Sequence, residues 1–161
     1  MAQDMFIKIE GIDGESEDGA HKGEIDIITW AWEVTQASSM HSGSGGGTGK
    51  ATVHDLEFVH NVDKATPNLL KYCLTGKHIG EAVLTVRKSG GTPLEYLKIT
   101  MNDVVVTSVR PSGSASDDNR INETVKLAFS KVKQEYIVQN AQGGSSGAVT
   151  ASFDIKANKE A

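Results

Sequence analysis

The chain has 161 residues and a mass of 17.2 kDa, enough for one domain to bury most of its unfolded surface without a metal ion or a disulfide. Its 16 basic and 21 acidic side chains give a formal charge of -5, and the scattered basic residues argue against a nucleic-acid partner. The chain has no apolar run long enough for membrane insertion, and the absence of signal-peptide features at its start predicts a cytoplasmic origin.

Most of the chain has the composition of β-strands. Val, Ile, Thr and aromatic side chains are frequent in seven segments that turn-forming residues separate. The segments are residues 5–10, 23–36, 50–62, 81–88, 94–109, 122–138 and 148–155. This pattern predicts a mainly β fold, an antiparallel sandwich or barrel, with residues 1–161 forming a single domain.

One short helix is predicted after the third strand. Thr66 can cap it, Pro67 is favoured in the first turn, residues 69–74 continue it, and Gly76 can adopt the left-handed conformation that ends it. Cys73 lies within this helix and is the only cysteine, so it cannot form a disulfide within the chain. A packed, unreactive thiol is expected.

The second predicted strand contains both tryptophans, and its alternation separates two faces. The first face comprises Ile28, Trp30, Trp32 and Val34, and the second comprises Thr29, Ala31 and Glu33. Each buried tryptophan removes about 150 to 250 Å² from water, so the tryptophan face is predicted to be the core. The opposite face is small and polar near Ala31.

Ile25 and Ile27 make the start of that second face apolar. Two interpretations follow from this pattern. The two side chains either meet a neighbouring protein, which implies assembly, or lie under a loop of the same chain.

Several segments imitate catalytic or metal-binding motifs. Residues 44–50 resemble a phosphate-binding loop, but Ser44 replaces its first glycine and the segment leads into a strand instead of a helix. Residues 143–147 match GxSxG around Ser145, yet a strand is predicted after them where a nucleophile elbow needs a helix. The five histidines lack the spacing of a zinc site. No catalytic site, cofactor or metal is therefore predicted.

Short segments spread along the chain resemble, in the same order, one known family, the haemolysin-coregulated proteins (Hcp) of bacterial type VI secretion. The resemblance rests on residues 5–9, 14–16, 21–26, 30–32, 49–50, 53–58, 63–69, 76–79, 84–91, 96–97, 104–109 and 153–155, with His41 and Asn158. These segments extend over essentially the whole chain. Phe153 stands where tryptophan is expected, and Ala31 where serine or another small residue is common.

The resemblance implies a fold and a role. The fold is an antiparallel two-sheet β-barrel with one flanking α-helix, and six copies form a ring. Rings stack into a tube inside a contractile sheath, a spike protein caps the tube, and the tube is expelled. It also implies small effector proteins held in the ring, assembly in the cytoplasm, and secretion without a signal peptide to the extracellular space or a target cell.

Within such a ring, the resemblance implies locations for three groups of residues: the lumen, the lateral interface and the stacking contact. Thr29, Ala31 and Glu33 suit the lumen, where small side chains keep the bore open, while Ile25 and Ile27 suit the lateral interface. The glycine-rich arm suits ring stacking, because a flexible segment can order on contact. The stacking residues are expected to be Met40, His41, Ser42, Gly43, Gly45, Gly46, Gly47 and Gly49.

Two other functions remain as alternatives. One is a monomeric β-barrel that binds a small ligand in an apolar cavity. The other is an enzyme, either a hydrolase using Ser145 or a phosphotransferase using Lys50.

Overall fold

The computed structural model describes residues 3–38, 50–89, 93–116 and 121–161. Within these ranges the chain is mainly β, with one helix. The elements are β1 (Gln3–Ile9), β2 (Ile25–Asp26), β3 (Thr29–Ala31), β4 (Val34–Thr35), β5 (Thr52–Val53), β6 (Leu56–Asn61), α1 (Thr66–Thr75), β7 (Ile79–Lys88), β8 (Leu94–Ser112), β9 (Asn122–Gln139), β10 (Ser145–Asp154) and β11 (Lys159–Glu160).

All pairings between these strands are antiparallel, as predicted. The main sheet has the order β11-β10-β9-β8-β7-β1-β2, and β6 pairs with β9 and with β3. β8 and β9 form its long central hairpin, while β4 and β5 form a separate two-stranded ribbon. No described pairing joins β2 to β11, so a closed two-sheet barrel is not confirmed.

The strand predicted for residues 23–36 is divided into three short strands. The backbone N–H of Ile27 donates to the carbonyl of Met5 in β1 at 2.9 Å, whereas that of Ile28 donates to the carbonyl of Val59 in β6 at 2.8 Å. The chain therefore changes partner strand between Ile27 and Ile28. This change shifts the alternation by one residue, so the sides that face the core differ before and after it.

The helix forms where the sequence predicts it. Pro67 lies in its first turn, and Gly76 ends it in the left-handed conformation, with φ 65° and ψ 24°. The predicted cap at Thr66 is wrong, because Thr66 is already helical and its hydroxyl accepts the Asp63 N–H at 3.2 Å. Asp63 Oδ1 instead accepts the Ala65 N–H at 2.8 Å. Cys73 is half-buried and packs against the core.

One continuous apolar core is built mainly from strand side chains, with Leu69 of the helix packed into it. It draws side chains from β1, β2, β6, α1, β7, β8 and β9. Its fully buried members include Ile7, Ile25, Leu56, Phe58, Leu69, Leu84, Ile99, Met101, Val104, Val125 and Leu127. Removing this area from water is the main favourable contribution to folding.

Candidate lumen and assembly surfaces

The two tryptophans pack against the core and hold the segment around β3 in place. Trp30 is paired with Phe58 across β3 and β6. Trp32 donates its indole N–H to the His54 carbonyl at 2.9 Å and meets the Phe129 ring edge-on, with ring centres 5.9 Å apart. The predicted core direction of both tryptophans is therefore confirmed.

The other two members of the predicted core face are exposed, unlike the tryptophans. Ile28 is 43% exposed and Val34 is 49% exposed. Ile28 lies at the change of partner strand, and Val34 belongs to the separate ribbon, so neither continues the face defined by the tryptophans. Their inward placement was wrong for that reason.

Ile25 and Ile27 lie inside the chain's own core. Ile25 is 0% exposed and Ile27 is 8% exposed, and both pack in the same apolar cluster. The prediction that they form an outer apolar face for lateral contacts is wrong, because the shift between Ile27 and Ile28 turns them inward. They offer a neighbouring copy almost no surface.

Thr29, Ala31 and Glu33 are exposed on the side opposite the tryptophans. A surface cavity of about 530 Å³ lies beside Ala31 and Glu33. Its lining residues are Ala31, Trp32, Glu33, Val53, His54, Asp55, Glu57 and Lys126. Small and charged side chains at the rim leave this surface open and suited to water or a polar partner.

The charged groups of this cavity come from strands β6 and β9 and from the connecting segments before β4 and β6. Glu57 of β6 and Lys126 of β9 are directly opposite each other in the strand pairing. Asp55 accepts a hydrogen bond from the Thr107 hydroxyl at 2.6 Å. Opposite charges on adjacent strands stabilise the pairing modestly and keep the surface hydrated.

The predicted stacking residues lie outside the described residues. This applies to all of them, namely Met40, His41, Ser42, Gly43, Gly45, Gly46, Gly47 and Gly49. The arm's attachment points are described: Ser38 is exposed, and Lys50 precedes the ribbon strand β5. The phosphate-loop-like segment also falls mostly in this gap.

The GxSxG match is a hairpin turn between β9 and β10. The Asn140 side-chain oxygen accepts the backbone N–H groups of Gln142 and Gly144, at 3.0 and 2.8 Å. Ser145 then begins a strand, not a helix, so the geometry of a nucleophile elbow is lacking. The described residues also contain no group of His, Cys, Asp and Glu that could hold a metal ion.

A buried ionisable pair connects β6 to β9. His60 Nε2 lies 2.8 Å from Glu123 Oε1, and both side chains are 0% exposed. The Thr66 hydroxyl donates to the same carboxylate oxygen at 3.2 Å, and Asp63 Oδ2 lies 3.8 Å from His60 Nδ1. Burial alone would lower the pKa of His60, but Asp63 and Glu123 outweigh it and raise that pKa above its ordinary value.

Sequence reasoning missed this pair, although a signal for it exists. His60 continues the inward positions of Leu56 and Phe58, and Glu123 continues those of Val125 and Leu127. Two polar residues at inward positions of two strands require a shared partner when buried. Only the pairing of β6 with β9, which is not local, brings them together.

A second group of charged residues fixes the loop before β2. Arg87 donates to both oxygens of Asp18, at 3.0 and 2.6 Å, and to Asp4 at 3.0 Å. These hydrogen bonds lower the pKa of the Asp18 carboxyl to about 2. In the same region His21 stacks on Phe6, with ring centres 4.4 Å apart.

His21 also bridges the loop to β8. Its Nδ1 lies 2.8 Å from Glu24 Oε2, and its Nε2 lies 2.5 Å from Glu95 Oε1. These contacts hold the segment before β2 against the sheet. His21, one of the histidines that the sequence shows as dispersed, therefore makes structural contacts.

The described residues thus present exposed strand surfaces and lack the geometry of a nucleophile elbow at Ser145. The chain offers a small, polar strand surface beside Ala31 and several exposed apolar strand residues. The helix α1 is short, and no helix among the described residues is both long and apolar enough to cross a membrane.

Comparison with known proteins gives the family. Residues 6–136 match the model of the type VI secretion system effector Hcp. The chain is 47% identical to the protein hcp1 of Pseudomonas aeruginosa over the full length of both. The crystal structure of Hcp1 from Salmonella typhimurium superposes with a TM-score of 0.81 at 49% identity, covering 100% of both chains.

A type VI secretion system effector from Yersinia pestis superposes with a TM-score of 0.78 at 42% identity, covering 94% of this chain and 99% of that one. The chain therefore belongs to the Hcp family of type VI secretion. It is a secreted structural component of the secretion tube and not an enzyme.

Proposed function

We propose that six copies of this chain close into a ring and that the rings stack into the inner tube of the secretion system. The observation that carries this proposal is the exposed face of Thr29, Ala31 and Glu33, opposite two tryptophans anchored in the core. A small, polar strand face on a rigid anchor suits the wall of a water-filled bore.

Each copy is proposed to be a single domain over residues 1–161 whose strands close into a barrel. Support comes from the segment that contains β2 and β3. Its backbone bonds to β1 through Ile27 and to β6 through Ile28, and β6 pairs with β9. A barrel needs a link between β1 and β9, and these bonds support the proposal for that reason.

The cavity beside Ala31 is the proposed place of contact with small effector proteins. Glu33, Asp55 and Glu57 supply acceptors, and Lys126 supplies a donor. The half-buried Trp32 ring adds apolar area at the cavity wall. Such a mixed surface binds a folded cargo weakly enough to release it, because most of its polar groups stay hydrated.

Stacking of rings is proposed to use the glycine-rich arm of residues 38–49. Ordering such a segment costs about 1 to 2 kcal/mol per residue in backbone entropy. Axial contacts should therefore be weaker than lateral contacts in isolated protein. The other proposed partners are the spike protein and the contractile sheath, with assembly in the cytoplasm before export without a signal peptide.

Light scattering on the purified protein at micromolar concentration tests this function. The expected mass is near six times the 17.2 kDa of one chain. A stable monomer at all concentrations would refute the ring and favour the ligand-binding alternative. Titration with small apolar ligands would then distinguish that alternative from an inactive monomer.

A further inference from the structure

The outer face of α1 carries two exposed leucines one turn apart. Leu70 is 50% exposed and Leu74 is 77% exposed. Residues four apart on a helix are neighbours on its surface, so the two side chains form one apolar patch. The other face of the helix packs against the core through Leu69, Tyr72 and Cys73. The two outer leucines therefore contribute little to the core and remain available for contact.

The segment around this patch is the basic part of an acidic chain. Residues 64–80 contain the lysines Lys64, Lys71 and Lys77 and no Asp or Glu. Subtracting their three positive charges from the formal charge of -5 leaves -8 on the rest of the chain. Salt screens exposed charges beyond about 8 Å at physiological ionic strength, so a partner at α1 meets mainly the local positive charge.

Carboxylates do not neutralise the middle of this segment. Its printed contacts with carboxylates are confined to residues 64–66 and to His78. Lys71 and Lys77 lie between these ends and form no ion pair with any residue that the structure describes. Lys77 Nζ lies 4.9 Å from the centre of the Tyr72 ring, which holds its charge close to the helix.

We infer that the α1 surface, defined as Leu70, Lys71, Leu74 and Lys77, is a docking site for an acidic amphipathic helix of a partner protein. The apolar side of such a helix covers the two leucines, and its carboxylates lie beside the two lysines. The inference needs only the folded single chain, so it does not rest on the proposed ring.

Charge and apolar area favour this occupant over two others. A second copy docked through the same surface brings two basic segments together, and like charges at a contact oppose it. An anionic membrane matches the charge, but stable binding to a membrane surface needs a broad apolar face. The helix offers only Leu70 and Leu74, because its Leu69, Tyr72 and Cys73 side chains pack against the core.

Fluorescence anisotropy with a labelled synthetic peptide tests this surface. The peptide has about 18 residues, long enough to form a helix, with leucines spaced three and four apart and glutamates on both sides of them. The control peptide has lysine in place of every glutamate. Wild-type protein should bind the acidic peptide and not the basic one, and added salt should weaken the binding.

Two substitutions in the α1 surface have matched controls elsewhere. Leu74→Gln and Lys71→Glu should each weaken binding of the acidic peptide by about ten-fold or more, as expected when an anchor of a contact is lost. Val149→Gln on β10 and Lys133→Glu on β9 make the same changes at exposed residues and should bind like wild type. Thermal melts of the α1 variants should match wild type, since both side chains are exposed.

Amide hydrogen exchange gives an independent readout on the wild-type protein. The acidic peptide should slow exchange in residues 64–80 and leave residues 148–151 unchanged. Equal binding of both peptides, no binding of either, or equal losses in the control variants would overturn the docking site. Binding of wild-type protein to vesicles of anionic lipid, without binding of the acidic peptide, would overturn it in favour of a membrane surface.

Discussion

The two halves of β9 differ sharply in their surroundings. The first half, residues 122–127, lies between β6 and β8 and contributes Glu123, Val125 and Leu127 to the interior. The second half, residues 134–139, pairs with β10 and exposes Tyr136 and Val138. One strand thus stabilises the fold at one end and exposes apolar side chains at the other, so equal changes at the two ends should have unequal effects.

The largest expected effect on stability is at the buried half. Phe58→Ala removes a fully buried ring next to Val125, and we expect it to lower the free energy of unfolding by about 3 to 5 kcal/mol. Tyr136→Ala, at the exposed half, should cost less than about 1.5 kcal/mol. Urea denaturation of both proteins measures the difference, and equal losses would contradict the distinction between the two halves.

The next largest effect concerns the buried ionisable pair. Glu123→Ala leaves His60 buried without its partner and removes the acceptor of Thr66, so we expect a loss of about 3 kcal/mol in the free energy of unfolding. The double variant Glu123→Leu with His60→Phe should recover much of that loss. If the single variant were as stable as wild type, the pair would not connect β6 to β9.

A smaller, pH-dependent effect follows from the raised pKa of His60. A histidine whose pKa is higher in the folded chain adds stability below its unfolded pKa, and this stability is lost as pH rises through the folded pKa. Asp63 and Glu123 face its ring nitrogens, and Phe58 lies against the ring. From about pH 6 upward, wild-type protein should lose stability relative to the double variant Glu123→Leu with His60→Phe, which lacks both buried groups. Urea denaturation at several pH values measures this difference, and parallel curves would contradict it.

The smallest effect on stability is expected at the proposed lumen. Ala31→Arg changes an exposed residue, so the free energy of unfolding should stay within about 0.5 kcal/mol of wild type. The ring should remain, while a bulky charged side chain should abolish retention of a small cargo protein in a pull-down. Ala31→Ser is the control and should retain cargo. Loss of the ring in Ala31→Arg would place Ala31 at an interface between copies.

Local patterns in the sequence predicted the long strands and the helix well. The segments 81–88, 94–109 and 122–138 correspond closely to β7, β8 and β9, because long alternation is a local signal. Pro67 and Gly76 likewise marked the helix through their own backbone preferences. These features need no information about distant parts of the chain.

The candidate surfaces were harder to predict because they depend on pairings between distant residues. Thr29, Ala31 and Glu33 are exposed as expected. They alternate with Trp30 and Trp32, whose large apolar side chains pack against the core and leave the other side of the segment to solvent. Ile25 and Ile27 were placed outside because the change of partner strand after Ile27 has no local signal. Sequence reasoning missed the exposed side of β10, because the complete topology decides which strand lies at the edge of a sheet.

Electron microscopy of purified wild-type protein tests the central claim most directly. The account predicts annular particles with an open centre and about six subunits around the ring. Solitary particles of 17.2 kDa, with no annular class at any concentration, would contradict it.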